Sequence, residues 1–223
     1  MKTFVINLKR RPDRLMVFRN TCPINTVEVF EAFDASHRND VDPRFDKMQY
    51  SGEKGCWMSH LAIWKKIVAE QIPYTLVFED DVEFYPNFEA NWKTMQEQLF
   101  RMQHVELLYI GGRDKGVPFQ QYIPVAKNIV KHDTTTWDDR DMSRCTFSYV
   151  VSLSGAKKLL DQLHHPIPCI SGGKWYDFFH LPVDHYMVSV MMHCGTVYTS
   201  KPYMCYSNSN ADDSDIRGKN ITK

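Results

Sequence analysis

Glu79, Asp80 and Asp81 stand in a row directly after the run Tyr74-Thr75-Leu76-Val77-Phe78. That run is apolar, β-branched and aromatic, the composition of a buried strand in a parallel sheet. The acids therefore fall at a strand's carboxyl end, where open α/β sheets bind their ligands. Neighbouring carboxylates repel one another unless a cation, an arginine or water offsets the charge. Hard divalent ions take oxygen ligands, and Mg²⁺ is typically held by one or two carboxylates together with substrate phosphates. The chemistry indicated is a metal–diphosphate site, and the competing reading is a solvated acidic turn.

Other polar groups fall at comparable places. Asn7 closes a first apolar run and is followed by Arg10, Arg11 and Arg14. Asn7 with an arginine can hold part of a nucleotide or its phosphates, or the segment is an ordinary basic helix start. Asp34 follows a second apolar run, where a carboxylate can accept hydrogen bonds from a ribose or a base, or cap a turn. Ser59 and His60 lie inside an apolar helical pattern, where a histidine is more often a satisfied core residue. Asp184 stands where a helix N-cap would stand, and capping alone explains it. A carboxylate on such a junction is also well placed as a general base. The polar tail from Ser207 carries Asp212, Asp213 and Asp215 and is expected to be disordered or to order over a ligand.

These residues need a scaffold of alternating strands and helices. Strands are expected at Thr3 to Leu8, Val27 to Phe33, Tyr74 to Phe78, Val105 to Ile110, Cys145 to Leu153 and Gly195 to Lys201. Helices are expected from Pro12, a good first-turn residue, from about Glu53 to Val68, from Pro86 to about Gln103, and after Ser154 as a cap. Trp57, Leu61, Trp64 and Val68 form one helical stripe, and Phe88, Trp92, Met95, Leu99 and Met102 another. Residues 37 to 52 read as a surface excursion, and 113 to 144 as a hairpin and loops beside the sheet. The strand–helix alternation through Gly111 is the signature of a parallel α/β sheet in a single domain.

With 223 residues and 43% hydrophobic content, the chain can bury one substantial core. Lys+Arg and Asp+Glu both number 27, which gives no support for a bulk polyanion such as nucleic acid as partner. The six cysteines show no C-x-x-C pair and no zinc-like spacing, so free thiols in a reducing compartment are expected. The start of the chain reads as a strand rather than a signal peptide, and no run is long enough for a transmembrane segment. A cytoplasmic location is the expectation, with a lumenal one open for a trimmed chain.

Six segments taken in order resemble the family 25 glycosyltransferases, a group that includes lipopolysaccharide and collagen hydroxylysine galactosyltransferases. They are Val5-Ile6-Asn7-Leu8-Lys9-Arg10-Arg11-Pro12-Asp13-Arg14, Gly55-Cys56-Trp57-Met58-Ser59-His60, Leu76-Val77-Phe78-Glu79-Asp80-Asp81, Ser148-Tyr149-Val150-Val151-Ser152 with Gly155-Ala156, Pro182-Val183-Asp184, and Ser214-Asp215-Ile216. The resemblance implies a GT-A-type nucleotide-sugar-binding sheet flanked by helices. About 1–112 would be the donor half, about 113–206 the acceptor half and 207–223 a flexible tail. It also implies an inverting transfer of galactose, glucose or N-acetylglucosamine from a UDP-sugar to a glycan or hydroxylysine-type hydroxyl, with Mn²⁺ or Mg²⁺. Asp81, helped by Glu79 or Asp80, would hold the metal. Asn7, Arg11, Arg14 and Asp34 would contact the nucleotide, and Ser59 with His60 would line the donor side. Asp184 would be the base, with Asp215 either the second choice or a further metal ligand. Thr146-Phe147-Ser148-Tyr149 departs from the family's threonine-x-alanine-tyrosine-like run, which bears on the acceptor side.

Two other classes compete. A metal-dependent nuclease or nucleotidyltransferase would use carboxylates from several strands, and Asp34, Glu79, Asp80 and Asp81 could supply them. The balanced charge and the lack of a glycine-rich phosphate loop weigh against it. A non-catalytic sugar-nucleotide-binding module would keep the fold and dispense with the base.

Overall fold

The computed structural model describes residues 1–37, 40–102, 104–112, 122–132, 145–164 and 181–207. Its centre is an eight-stranded mixed sheet. In chain order the strands are β1 (Lys2–Asn7), β2 (Glu28–Glu31), β3 (Tyr74–Glu79), β4 (Val82–Phe84), β5 (Leu107–Tyr109), β6 (Tyr122–Ala126), β7 (Ile129–His132), β8 (Ser148–Ser152), β9 (Val197–Ser200) and β10 (Cys205–Ser207). The main sheet runs β2-β1-β3-β8-β5-β9-β7-β6, and β4 pairs with β10 in a separate ribbon.

The first three strands are parallel, as expected, but β8 enters antiparallel between β3 and β5. The sheet is therefore mixed rather than parallel. Strands from before and after residue 112 interleave within it. The central strands alternate their side chains between two buried faces. Phe4, Ile6, Val77, Leu107, Tyr109, Tyr149 and Val151 enter one core. Val5, Leu76, Phe78, Leu108 and Val150 enter the other. Burial on both faces explains why these strands read as near-continuous apolar runs. β2 lies at the edge, and its exposed Glu28 and Glu31 suit that place.

Among the described residues five α-helices cover the faces: α1 (Pro12–Thr21), α2 (Ser51–Ala69), α3 (Phe88–Arg101), α4 (Leu153–Asp161) and α5 (Val183–Cys194). α2, α4 and α5 bury against the first core, while α1 (through Phe18) and α3 bury against the second. The α3 stripe of Phe88, Trp92, Met95 and Leu99 is buried as its spacing predicts. α5 is apolar nearly all round and accordingly sinks deep into its core.

Some local expectations shift. The excursion at 37–52 is only partly superficial, because a 3-10 turn at Pro43–Phe45 buries Phe45 against Trp57 with ring centroids 5.3 Å apart. Ser152, not Ser154, caps α4, its hydroxyl accepting from the Gly155 N–H at 3.1 Å. Pro182 holds the cap position of α5, and Asp184 lies in its first turn. Ser207 belongs to β10, while the rest of the tail lies outside the described residues.

Candidate functional site

β3 ends at Glu79, and the chain turns at Asp80-Asp81 into β4. The turn is fixed from both sides. The register of β1 on β3 sets Ile6 opposite Glu79, which brings the next residue, Asn7, level with Asp80. Asn7 Nδ2 donates to Asp80 Oδ2 at 2.6 Å and to the Arg11 carbonyl at 2.9 Å, tying strand end, helix start and acid together. On the other side, β10 sets Ser207 opposite Val82, and the Ser207 hydroxyl donates to Asp81 Oδ2 at 3.2 Å.

Arg14, one turn into α1, lies between the two aspartates. Its Nε is 3.1 Å from Asp80 Oδ1 and its Nη2 3.3 Å from Asp81 Oδ2. Asp80 is thus engaged on both oxygens by Asn7 and Arg14. Asp81 differs: its Oδ1 is buried and has no hydrogen-bond partner among the described residues. Burial, and then the nearby charge of Glu79, push the Asp81 carboxyl up to about 6, against the opposing pull of Arg14. A buried carboxylate oxygen lacking a donor is what a hard cation would complete, so the residues present fit a divalent ion at Asp81.

Glu79 is held differently. Val77, Glu79 and the cross-strand Tyr149 project toward the face that α2 covers, where His60 meets them. His60 Nε2 lies 3.1 Å from Glu79 Oε1, and Nδ1 lies 2.9 Å from the Tyr149 hydroxyl. Trp64 Nε1 also donates to that hydroxyl at 3.3 Å. The indole can only donate, so the Tyr149 oxygen accepts from it and its own proton turns to His60 Nδ1, leaving Nε2–H to donate to Glu79. Burial is the largest influence on Glu79 and acts to raise it, but His60, Thr146 and the charge of Arg14 together outweigh it and hold the carboxyl below its usual range. Adjacent acids are thereby driven in opposite directions. For Asp80, burial outweighs Arg14 and Asn7, and its pKa is raised.

Arg14, Asp34, Ser59, His60, Glu79, Asp80 and Asp81 line one cleft of about 740 Å³ at the ends of β1, β2 and β3 and the start of α2. Ser59 lines it but is also a staple, accepting from the Phe33 N–H at 2.9 Å and donating to the Gly55 carbonyl at 2.7 Å. Asp34 is bound by Arg10 Nε at 2.7 Å and lines the cleft beyond β2, with β1 between it and the strand that ends in the acids. Arg11 turns to Asp13 and is not among the lining residues. Asp184 lies outside the lining, with its Oδ1 accepting from the His185 N–H. Its charge, after burial and the charge of Glu79, acts to raise the thiol of the half-buried Cys56. Asp215 lies outside the described residues.

Arg10 and Cys56 also line the cleft. The sequence offered Arg10 only as one of three arginines after Asn7, and Cys56 only as part of a segment. Cys56 had a signal, since it stands four residues before His60 and so on the same helix face.

Comparison with known proteins adds the following. The profile of the family described as "Glycosyltransferase family 25 (LPS biosynthesis protein)" matches residues 1–187. Human procollagen galactosyltransferase 2 is 32% identical over 175 residues, covering 70% of this chain and 27% of its own. A glycosyltransferase 25 family member of Aedes aegypti is 30% identical, covering 71% and 28%. A bovine protein described as probable inactive glycosyltransferase 25 family member 3 is 28% identical over 176 residues, with the same coverage. The chain spans about a quarter of the length of the curated relatives it matches. No helix among the described residues is long and apolar enough to cross a membrane.

Proposed function

Since the chain belongs to glycosyltransferase family 25, we propose that it is a glycosyltransferase whose cleft takes a UDP-hexose with a divalent ion and passes the sugar, with inversion, to an acceptor hydroxyl. The observation that carries this reading is the buried Asp81 Oδ1 that lacks a donor, in a cleft wall beside Glu79. Asp81, supported by Glu79, would hold Mn²⁺ or Mg²⁺. That ion would act as a Lewis acid on the departing diphosphate. Asp80 is committed to Asn7 and Arg14, so these three position the metal carboxylate rather than meet the nucleotide directly. Arg14 keeps adjacent acids from repelling the turn open. Arg10 and Asp34, paired in the cleft lining, would take the nucleotide.

An inverting displacement needs a base to accept the acceptor hydroxyl's proton, a contribution of roughly 10²–10⁴-fold. Asp184, in the first turn of α5, is the candidate that the family resemblance offers. Galactose is the favoured donor sugar because relatives named procollagen galactosyltransferase match most of the chain. The acceptor is a glycan or hydroxylysine-type hydroxyl.

Calorimetric titration of UDP-galactose, UDP-glucose and UDP-N-acetylglucosamine, with Mn²⁺ and then with EDTA, tests this on the wild type and Asp81→Ala. Metal-dependent binding of one sugar nucleotide, absent in the variant, is expected. Binding unaffected by EDTA and by Asp81→Ala would remove the metal role. No binding of any of the three would remove the UDP-sugar.

A further inference from the structure

The cleft wall holds a second donor set of different chemistry. One ligand atom each from Cys56, His60 and Glu79 lies within 4.8 Å of the others. Cys56 and His60 come from successive turns of α2, and Glu79 from the end of β3, so two rigid elements present sulfur, nitrogen and oxygen to one point. We infer that Cys56 Sγ, His60 Nε2 and Glu79 Oε1 form a soft-metal site of the zinc class beside the oxygen position at Asp81, with Glu79 Oε2 left to that neighbouring position.

The geometry is close to what such an ion requires. With bonds of about 2.0 Å to nitrogen and oxygen, a tetrahedral centre sets those two ligands roughly 3.3 Å apart. His60 Nε2 and Glu79 Oε1 already stand 3.1 Å apart. The ion would take the place of the proton now between them. Thr146 lies beside both the thiol and the Glu79 carboxylate, and its hydroxyl favours the charged form of each. The supporting shell exists as well, because metal-bound histidines usually have their second nitrogen engaged, and Tyr149 engages Nδ1.

Protons balance simply. The thiol proton leaves to solvent, and the imidazole proton moves from Nε2 to Nδ1, where the Tyr149 oxygen accepts it as its own O–H rotates out of that bond. One proton is released per ion bound. The fourth position faces the cleft that Cys56, His60 and Glu79 all line, leaving it to water or a substrate oxygen. Soft thiolate and imidazole ligands favour zinc over the magnesium or manganese that carboxylates favour. The site is thus selective against the ion proposed at Asp81.

Co²⁺ titration of metal-stripped protein tests this, because thiolate bound to Co²⁺ gives a near-ultraviolet charge-transfer band and tetrahedral Co²⁺ gives visible bands. One equivalent should develop both, Zn²⁺ should bleach them, Asp81→Ala should retain them, and Cys56→Ser should lose the charge-transfer band. No band in the wild type at stoichiometric Co²⁺ overturns the inference, as does a band that survives Cys56→Ser. Should Cys56→Ser not fold, His60→Gln serves instead, with an expected loss of about tenfold or more in Co²⁺ affinity, and unchanged affinity overturns the site. UDP-sugars take no part in this readout, so its failure and that of the proposed transfer reaction are told apart.

Discussion

At the scale of single residues, the cleft works by giving equal chemical groups unequal surroundings. Asp81 has its folded pKa near 6 against a reference of 3.8. Between roughly pH 4 and 6 the folded chain keeps a proton that the unfolded chain has lost, so on this group's account metal-free stability falls as pH rises through that window. At most about 3 kcal/mol is involved. Glu79 has the opposite sign, since its lowered pKa contributes stability at neutral pH that is lost as pH falls. Asp81→Asn isolates the first effect. In EDTA at pH 7 the variant should be more stable than the wild type by about 1–3 kcal/mol, the two should converge near pH 4, and Mn²⁺ should raise the melting temperature of the wild type alone. Urea unfolding across pH measures all three. Tyr149→Phe should cost about 1–3 kcal/mol, because Trp64 and His60 both lose a buried partner. Denaturant midpoints check it. The acids and the histidine were legible as residues of interest, but their division of labour was not. That division depends on which oxygen meets Asn7, Arg14 or His60, and cross-strand register decides it.

At the scale of elements, the cleft depends on how closely α2 approaches the end of β2. A Cβ on Gly55 would sit 2.5 Å from the Phe33 carbonyl oxygen, a backbone atom that cannot swing aside. Ser59 seals the same junction one turn later. Gly55→Ala should therefore push α2 from the sheet, destabilise by about 1–3 kcal/mol, and weaken ligand binding in the cleft. Thermal melting together with calorimetric titration would register both losses, and a variant with wild-type values for each would show that the approach is slack. The periodicities that marked α2 and α3 were readable because each buries one stripe. The antiparallel insertion of β8 was not readable, because a strand buried on both faces looks the same in either direction. β4 and β10, of three residues each, are too short to give a period at all.

For the whole molecule, the sheet divides the interior into two cores with different duties. One face carries α2 and α5 and lies behind the cleft, while the other packs α1 and α3. Leu99 is fully buried in the second, on α3. Leu99→Ala should cost about 2–5 kcal/mol yet leave sugar-nucleotide affinity unchanged in the surviving folded fraction. Chemical denaturation and titration of the same sample decide it, and a parallel loss of affinity would mean that the faces are coupled.

The pairing of β10 with β4 has an outcome in the order of synthesis. Glu79, Asp80 and Asp81 are translated early, but Ser207, which meets Asp81, arrives 126 positions later. Until that strand has emerged from the ribosome, the nascent chain carries its acidic turn without the clamp. A truncated translation product ending before Cys205 would then own Glu79, Asp80 and Asp81 and still lack the finished turn, so the metal capture proposed at Asp81 would wait on the arrival of the late strand.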